Sequence, residues 1–476
     1  MSTQTLEKRD GFQSKWGFIL ACIGSAVGMG NIWRFPIMVS RYGGLTFLIP
    51  YFVFVILIGA SGVMEEFALG RWAGAGPVGA FGKCTESRTG KKTPGEVIGA
   101  LPIIGSMMLA IGYTVVLGWI FKYAFLALSG QLFAMGTELN PSFGILGEFI
   151  ATAPEASTLG EAVSMMFSEG LFTLGNTTWQ LIGLVVSLII MAMGIAAGIE
   201  KANKVMMPVL FFLFVGLAIY IATLPGAADG YKYIFTLDPK GLLNWEVLLF
   251  AFGQAFFSLS VAGNGSVIYG SYLSKDEDIP SSARNVAIFD TLAALLAMLV
   301  ILPSMGVGGM EPSSSGPGLM FIYLVSVLNG MAGGKIVGMV FFVAVLFAGV
   351  SSIVNLYEAP VAFLQEKLKM KRLPAVATIG IVGAVISVII QPWTSQWMDL
   401  VSVYICPLGA LLAGIMFFWV LKKDTAMAAV NEGRTAGKKA IDSWFYPLGK
   451  YGYCFLAAIA LIGGAWYFLT FGASIG

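Results

Sequence analysis

Long apolar segments, separated by shorter polar stretches, follow one another along nearly the whole chain. Eleven of them reach roughly the 20 residues that an α-helix needs to cross the hydrocarbon core of a bilayer. We therefore predict an all-α membrane protein with eleven transmembrane helices. The segments lie near 16–36, 45–70, 97–129, 178–198, 205–224, 244–272, 286–307, 336–364, 374–391, 398–421 and 451–471.

The first segment contains an unusual run from Gly24 to Pro36, GSAVGMGNIWRFP. Gly24, Gly28 and Gly30 each weaken a helix by about 1 kcal/mol relative to alanine, so we expect the helix to break here. Backbone groups released by a break are tolerated at membrane depth only inside the protein or beside a polar cavity. Free carbonyls and the Asn31 amide suit a hard cation, and free N–H groups of the next half-helix suit a carboxylate. The alternative is a glycine-rich face for helix packing.

A second apolar segment with a polar centre follows five segments later. Residues 253–272, GQAFFSLSVAGNGSVIYGSY, place serines, glycines and an asparagine inside an otherwise apolar helix. Broken helices at matching positions in two halves are typical of transporters built from inverted repeats. We predict a single transporter domain with repeat one at about 10–225, repeat two at about 240–422 and an extra helix at about 450–472.

Composition excludes a soluble domain. Hydrophobic residues make up 57% of the 476 positions and charged residues 11%, too few to cover a surface that faces water. The chain has no His and no HExxH motif, so we expect no enzyme, and its four scattered cysteines suggest neither zinc sites nor disulfides. We also expect no organic cofactor and no nucleic-acid partner. A channel or a non-transporting sensor on the same scaffold is the rival interpretation.

Basic residues predict the orientation in the membrane. Five Lys and Arg lie between positions 71 and 92, whereas 131–178 carries five Glu and no Lys or Arg. Because cytoplasmic loops are enriched in Lys and Arg, we expect the first connection inside and the second outside. Eleven spans then leave the N-terminus in the cytoplasm and the C-terminus outside. The polar first fifteen residues show no signal-peptide pattern, and the N-x-T sequon at Asn176 is a match that chance also explains.

Five motifs carry a family resemblance: GSAVGMGNIWRFP at 24–36, YGG at 42–44, GQAFFSLS at 253–260, SYLSKDEDI at 271–279 and FAGVSSIV at 347–354. They resemble the neurotransmitter:sodium symporters, in particular bacterial amino-acid transporters such as LeuT, over nearly the whole chain. The resemblance implies a LeuT-type fold of five plus five helices in inverted repeats, with broken first and sixth helices. It also implies a symporter of the plasma membrane, here the bacterial cytoplasmic (inner) membrane, that couples sodium entry to amino-acid uptake by alternating access.

The family pattern implies two sodium ions, each held only by oxygen atoms, as a hard cation requires. The first ion is expected against the Ala26 carbonyl and the side chains of Asn31, Ser258 and Asp290. The second is expected against the carbonyls of Gly24, Val27 and Ala348 and the hydroxyls of Ser351 and Ser352.

Asp290 also carries an expectation about chloride. Members of the family that need chloride lack an acidic residue near the first sodium, so Asp290 implies transport without chloride. The alternative is a protonated Asp290 that bonds to neighbouring backbone. A carboxylate in an apolar helix is costly unless it is paired or coordinates a metal.

The resemblance places the substrate between the two broken helices. Gly28 and Gly30 would offer backbone N–H groups to the carboxylate of the substrate, and Tyr113 would donate its hydroxyl to the same group. The alternative for Tyr113 is a packing role, because a lone Tyr at mid-membrane is more often a packed aromatic. Monoamine carriers have an aspartate at the position of Gly28, so this chain is expected to take substrates with their own carboxylate. The other candidates for this site are Ala26, Leu109, Phe257, Ser258, Ser260, Ala262, Gly263, Asn264, Ser352 and Leu356.

Two of these residues bear on the choice of substrate. Gly263 stands where small-substrate relatives carry a bulky residue, and Asn264 adds an amide, so we expect a roomier, partly polar pocket. A hydrophobic or aromatic amino acid is the predicted substrate, and another small solute with a carboxylate is the alternative. The sequence leaves open which amino acid is carried, the sodium stoichiometry, proton counter-transport and the oligomeric state.

Intramembrane charges indicate two gates. Arg34 and Asp399 match the family's outer pair with Phe257 as an aromatic lid, although Asp399 also reads as an ordinary helix cap. The inner pair is expected to be Arg9 and Glu366, supported by Tyr272. Glu366 replaces the aspartate that the family usually has in that pair, and Phe12 stands where the family usually has a Trp. The sequence names no partner for Glu358, another acid inside an apolar segment.

Overall fold

The computed structural model describes residues 12–134, 176–261, 264–309, 319–434 and 438–471, and within these ranges it contains helices and no strand. Several helices include a turn of wider, π-type winding. The helices are α1 Lys15–Ala26, α2 Gly30–Tyr42, α3 Gly44–Ala73, α4 Pro77–Thr89, α5 Thr93–Leu128, α6 Asn176–Ala192, α7 Ile195–Ala222, α8 Ala227–Ile234, α9 Trp245–Ser258, α10 Gly265–Ser271, α11 Ile279–Val307, α12 Leu319–Gly330, α13 Gly334–Lys367, α14 Arg372–Ile389, α15 Gln396–Val420, α16 Lys423–Asn431 and α17 Phe445–Thr470.

Both predicted helix breaks are confirmed. The axis bends by 51° between α1 and α2, and Val27 leaves the helical conformation with φ −73° and ψ 94°. In the second break, Ser260 and Asn264 have positive φ angles of 56° and 51°, which an α-helix cannot continue through. The chain therefore enters the bundle centre twice as two half-helices.

Eight helices in the described ranges are long and apolar enough to cross a bilayer, and the bent pair α1–α2 makes nine. The shorter apolar helices α6, α9 and α12 do not reach that length by themselves. The helical membrane class is confirmed. The count of eleven, and the limits of the two repeats, stay predictions.

The predicted segments 178–198 and 205–224 have wrong limits. The structure ends α6 at Ala192 and begins α7 at Ile195, because Gly194 turns the chain with a φ of 97°. The charged residues at the start of α7 form helical turns in which Lys204 Nζ donates to Glu200 Oε1 at 2.6 Å. An (i, i+4) pair of this kind supports a helix.

Glycines allow α3 and α10 to touch backbone to backbone. A Cβ atom built on Gly70 would lie 2.0 Å from the Val267 carbonyl oxygen, and one built on Gly270 would lie 2.6 Å from the Phe67 carbonyl oxygen. Such close approach is characteristic of small residues at membrane helix interfaces. It places the half-helix after the second break directly against α3.

We predict that Gly70→Val lowers the free energy of unfolding in detergent by about 1–3 kcal/mol, because the new side chain would push α3 away from α10. Gly216→Ala on α7 is the matched control, since nothing lies within 4 Å of its added Cβ. The control should be neutral or stabilising by up to about 1 kcal/mol. Equal stability of the two variants in a denaturant titration would contradict the close contact.

Candidate functional site

A buried hydrogen-bonded cluster joins the two breaks to α11. Asn31 Nδ2 donates to Asp290 Oδ1 at 2.7 Å, to the Asp290 carbonyl at 3.0 Å and to Ser258 Oγ at 3.1 Å. Ser258 Oγ in turn donates to Asp290 Oδ2 at 2.6 Å, and the Tyr51 hydroxyl lies 3.3 Å from Ser258 Oγ. Asn31, Ser258 and Asp290 are at most 1% exposed. Three of the four residues predicted for the first sodium therefore lie together.

The oxygen-bearing groups of this cluster suit coordination of a hard cation. They are a carboxylate, a hydroxyl and the Asn31 amide, whose Oδ1 accepts from the Gly28 N–H at 3.2 Å. The fourth predicted ligand, Ala26, is the last residue of α1 at the break. Among the described residues, no group of three or more His, Cys, Asp or Glu is arranged to hold a metal. Mixed oxygen donors of this kind suit sodium better than a transition metal.

The second predicted sodium site lies between α1 and α13. A Cβ atom built on Gly24 would come within 3.4 Å of Ser351 Cβ, and one built on Gly28 within 2.1 Å of Ser352 Oγ. Ser351 Oγ donates to the Ala348 carbonyl at 3.0 Å. The Ser352 hydroxyl is buried and makes no hydrogen bond among the described residues. A buried hydroxyl oxygen with no partner in the described structure, beside a helix break, is available to coordinate a cation.

Two asparagines near this site were missed in the sequence. Asn203 Oδ1 on α7 would lie 1.9 Å from a Cβ on Gly24, and it is buried without a donor in the described structure. Asn355 Oδ1 on α13 is likewise buried and unpaired there, while its Nδ2 donates to the Ser351 carbonyl at 2.6 Å. The sequence did contain a signal for both residues, because a polar amide side chain inside an apolar membrane helix often marks a functional site.

A cavity lies between the two breaks, α5 and α13. Nine of the predicted substrate residues line it, and Ser25, Gly265 and Asn355 line it without having been predicted. The nine are Ala26, Gly28, Gly30, Leu109, Tyr113, Phe257, Ser260, Ser352 and Leu356. Its wall is thus apolar at Leu109 and Leu356 and polar near the breaks.

A second cavity lies beside the first and contains the predicted outer gate. Arg34 and Asp399 both line it, and the Arg34 guanidinium carbon is 5.0 Å from the centre of the Phe257 ring. Tyr113 and Phe257 line both cavities, with their ring centres 6.3 Å apart in an edge-to-face contact. These two rings therefore form the wall between the cavities.

Some predicted substrate residues do not line the cavity. Ser258 points into the buried cluster with Asp290. Asn264 is also turned away, because its Nδ2 donates to Glu66 Oε1 at 2.9 Å and to the Gly409 carbonyl at 3.2 Å. The expectation that Asn264 adds an amide to the pocket is therefore corrected: it fastens α10 to α3 and α15. Ala262 and Gly263 lie outside the described residues.

The inner gate predicted at Arg9, Glu366 and Tyr272 stays a prediction. Arg9 lies outside the described residues, and Glu366 accepts the Gly76 N–H at 3.1 and 3.2 Å. The Tyr272 hydroxyl donates to Glu358 Oε1 at 2.8 Å. Tyr272, expected beside Arg9 and Glu366, thus also contacts Glu358.

Glu358, for which the sequence named no partner, forms a buried ion pair. Arg372 donates to it through two nitrogens, at 3.0 Å to Oε1 and 2.8 Å to Oε2, and Arg372 Nε donates to the Met191 carbonyl at 2.8 Å. Glu358 is fully buried. Because Arg372 begins α14, this pair ties α13 to α14 at the end of the bundle opposite the outer gate.

A helical bundle with two broken helices around a polar cavity defines a class of secondary transporters. The family model for the sodium:neurotransmitter symporter family matches residues 9–138 and 152–441. The chain belongs to this family, which consists of sodium-dependent transporters rather than enzymes. The family resemblance and the LeuT-type fold expected from the motifs are both confirmed.

Individual relatives agree with this assignment. The chain is 30% identical to the uncharacterized sodium-dependent transporter YhdH of Bacillus subtilis, over 91% of this chain and 93% of the relative. It is also 30% identical to the uncharacterized sodium-dependent transporter MJ1319 of Methanocaldococcus jannaschii, over 89% of this chain and 85% of the relative. The crystal structure of MhsT in complex with L-phenylalanine superposes with a TM-score of 0.79 at 30% identity, covering 96% of this chain and 100% of MhsT.

We predict that Arg372→Met lowers the free energy of unfolding in detergent by about 3–5 kcal/mol, because it leaves Glu358 as a buried charge without its counterion. The double variant Glu358→Met/Arg372→Met should recover most of this loss, since two apolar side chains can pack where the ion pair lay. If the double variant were as unstable as the single one, the ion pair would not be the cause.

Proposed function

We propose that this protein carries a hydrophobic or aromatic amino acid across the membrane together with sodium, by alternating access. One observation supports this above all: the cavity between the two helix breaks adjoins a buried cluster of oxygen donors that suits sodium. The predicted membrane is the bacterial cytoplasmic membrane, with the N-terminus inside and the C-terminus outside. Its partners are then the lipid bilayer and the amino acid, a small-molecule substrate, with no organic cofactor.

The lining of the cavity supports a zwitterionic substrate. The Gly30 N–H at the first break and the Tyr113 hydroxyl would bind its carboxylate. The Gly28 N–H donates to Asn31 Oδ1 at 3.2 Å in this structure and would join them by exchanging that partner. Side chains at either glycine would invade this space, since a Cβ on Gly30 would lie 2.6 Å from the Phe257 ring. Leu109 and Leu356 would contact an apolar side chain of the substrate. The L-phenylalanine bound to MhsT supports the same class.

Two sodium ions would supply the driving force. The first would bind at Asn31, Ser258 and Asp290, with its charge next to the substrate carboxylate. The second would bind near the orphaned Ser352 hydroxyl, between α1 and α13. For a tenfold sodium gradient and 100 mV, each ion supplies about 1.4 plus about 2.3 kcal/mol, so two supply on the order of 7 kcal/mol.

Alternating access requires that the barriers on the two sides open in turn. The outer barrier would be the wall of Phe257 and Tyr113, with Arg34 and Asp399 above it. The inner barrier would include the pair of Glu358 and Arg372, in addition to the predicted gate at Glu366. Binding sites that stay at mid-membrane while helices rock around them are typical of this kind of transporter.

We predict that purified protein in liposomes accumulates labelled L-phenylalanine above equilibrium under an inward sodium gradient. Tyr113→Phe should reduce uptake roughly ten- to hundredfold, because a hydrogen bond to a charged carboxylate contributes about 1.5–3 kcal/mol. Tyr123→Phe, on the same helix but outside the cavity, should retain uptake. Uptake that only equilibrates would indicate a channel, and sodium-dependent binding without uptake would indicate a sensor; either outcome contradicts the proposed symport.

We predict further that uptake does not need chloride, because Asp290 supplies a fixed negative charge beside the first sodium site. Replacing chloride by gluconate at constant sodium should leave wild-type uptake unchanged. Asp290→Ser should abolish uptake or make it depend on chloride, whereas Asp229→Ser, at an exposed position on α8, should behave as wild type. Collapse of wild-type uptake in gluconate would remove Asp290 from this role.

A further inference from the structure

A long groove runs along the outside of the bundle, away from the substrate cavity. It has a volume of about 800 Å³ and lies between α3, α11 and residues before α17, namely Arg434, Lys438, Ile441 and Trp444. Most of its surface is apolar, with Val55, Ile56, Ile288 and Leu292 among the lining residues. Ile56 is 69% exposed and Ile288 55%. Because α3 and α11 are membrane-crossing helices, the groove opens toward the hydrocarbon core of the bilayer.

One end of this groove is basic. Arg284, Arg434 and Lys438 line it there, at the end of the bundle that the sequence predicts to be cytoplasmic. Arg284 is exposed and, within the described ranges, makes no hydrogen bond or ion pair. Arg434 Nε is buried and likewise has no acceptor among the described residues. Two cationic groups at this end thus have unused donors.

One carboxylate, Asp278, offsets part of this charge. Arg434 Nη1 donates to its Oδ1 at 3.1 Å and Lys438 Nζ to its Oδ2 at 2.7 Å. Burial raises the pKa of Asp278, but the hydrogen bonds and charges of Lys438 and Arg434 outweigh burial and lower the pKa below its ordinary value. Three cations against one anion leave a net charge of +2 among these four groups.

We propose that this groove binds an anionic phospholipid, with its phosphate at Arg284 and Arg434 and its acyl chains along α3 and α11. The apolar part of the groove, between α3 and α11, suits hydrocarbon tails, which a free phosphate or a soluble anion lacks. The surplus positive charge favours an anionic headgroup over a zwitterionic one. Trp444, 46% exposed, lines the same end, and Trp is enriched where a bilayer meets water.

Such a lipid would contact α11, the helix that contributes Asp290 to the buried cluster of Asn31, Ser258 and Asp290. Arg284 and Asp290 both lie on α11, less than two turns apart, and α3 contributes Tyr51 to that cluster. A lipid held between α3 and α11 would therefore fix the spacing of the two helices that flank the proposed first sodium site. This inference does not depend on which solute is transported.

Native mass spectrometry of the delipidated protein tests the proposal, with phosphatidylglycerol and phosphatidylcholine of identical acyl chains as probes. Wild-type protein should retain phosphatidylglycerol preferentially. Arg284→Gln should reduce that preference roughly fivefold, since one basic residue near a membrane surface contributes about that factor. Arg88→Gln, an exposed arginine outside the groove, should leave the preference unchanged.

A second variant tests the apolar part of the groove without altering charge. Ala60→Phe would fill the space between α3 and α11, so it should weaken retention of both lipids by a similar factor. Equal retention of the two lipids by wild-type protein would overturn the proposal, because it would indicate unselective lipid contact. The same conclusion would follow if Arg284→Gln behaved as Arg88→Gln, or if inorganic phosphate displaced the bound phosphatidylglycerol as well as excess lipid does.

Discussion

The structure depends on one constraint: backbone groups that lose their helical hydrogen bonds cannot face lipid. Both breaks satisfy it by turning their free groups toward each other at the bundle centre. Gln254 Nε2 donates to the Gly30 carbonyl at 3.0 Å, and Ser260 Oγ donates to the Ser25 carbonyl at 2.9 Å. The polar cavity follows from this requirement, because the groups at the two breaks that remain free need a polar ligand. A hydrophobic chain thereby acquires polar groups at its centre, where we propose that sodium and a zwitterion bind.

Besides Asp290 at the centre, further buried acids lie around it. The second half-helix, α10, is fastened to α3 through Asn264 and Glu66, and just beyond its end Tyr272 bonds to Glu358. Each of these acids is 0% exposed, so each contact replaces water that a carboxylate would otherwise bind. A shift of α10 would have to exchange both sets of contacts together. Contacts that must be exchanged together favour a helix with two distinct positions over one that moves continuously.

The surface away from the site follows a different rule. Apolar side chains there meet lipid at no cost, so exposed residues such as Ile56 need no further explanation. Basic residues at the cytoplasmic edge of a membrane attract anionic lipid headgroups. The basic end of the outer groove is for this reason chemically distinct from the rest of the lipid-facing surface, although both lie on the same helices.

The sequence alone determined the helical membrane class, both helix breaks and the family, because hydropathy, glycine clusters and long motifs are local properties of the chain. It also named most of the residues that line the central cavity. Tertiary structure decided the rest. The Arg372 partner of Glu358, the orientation of Asn264 and the approach of Asn203 to Gly24 depend on helices whose positions no local pattern specifies. The turn at Gly194 was likewise hidden, since a glycine inside an apolar run continues a helix or ends it according to the packing around it.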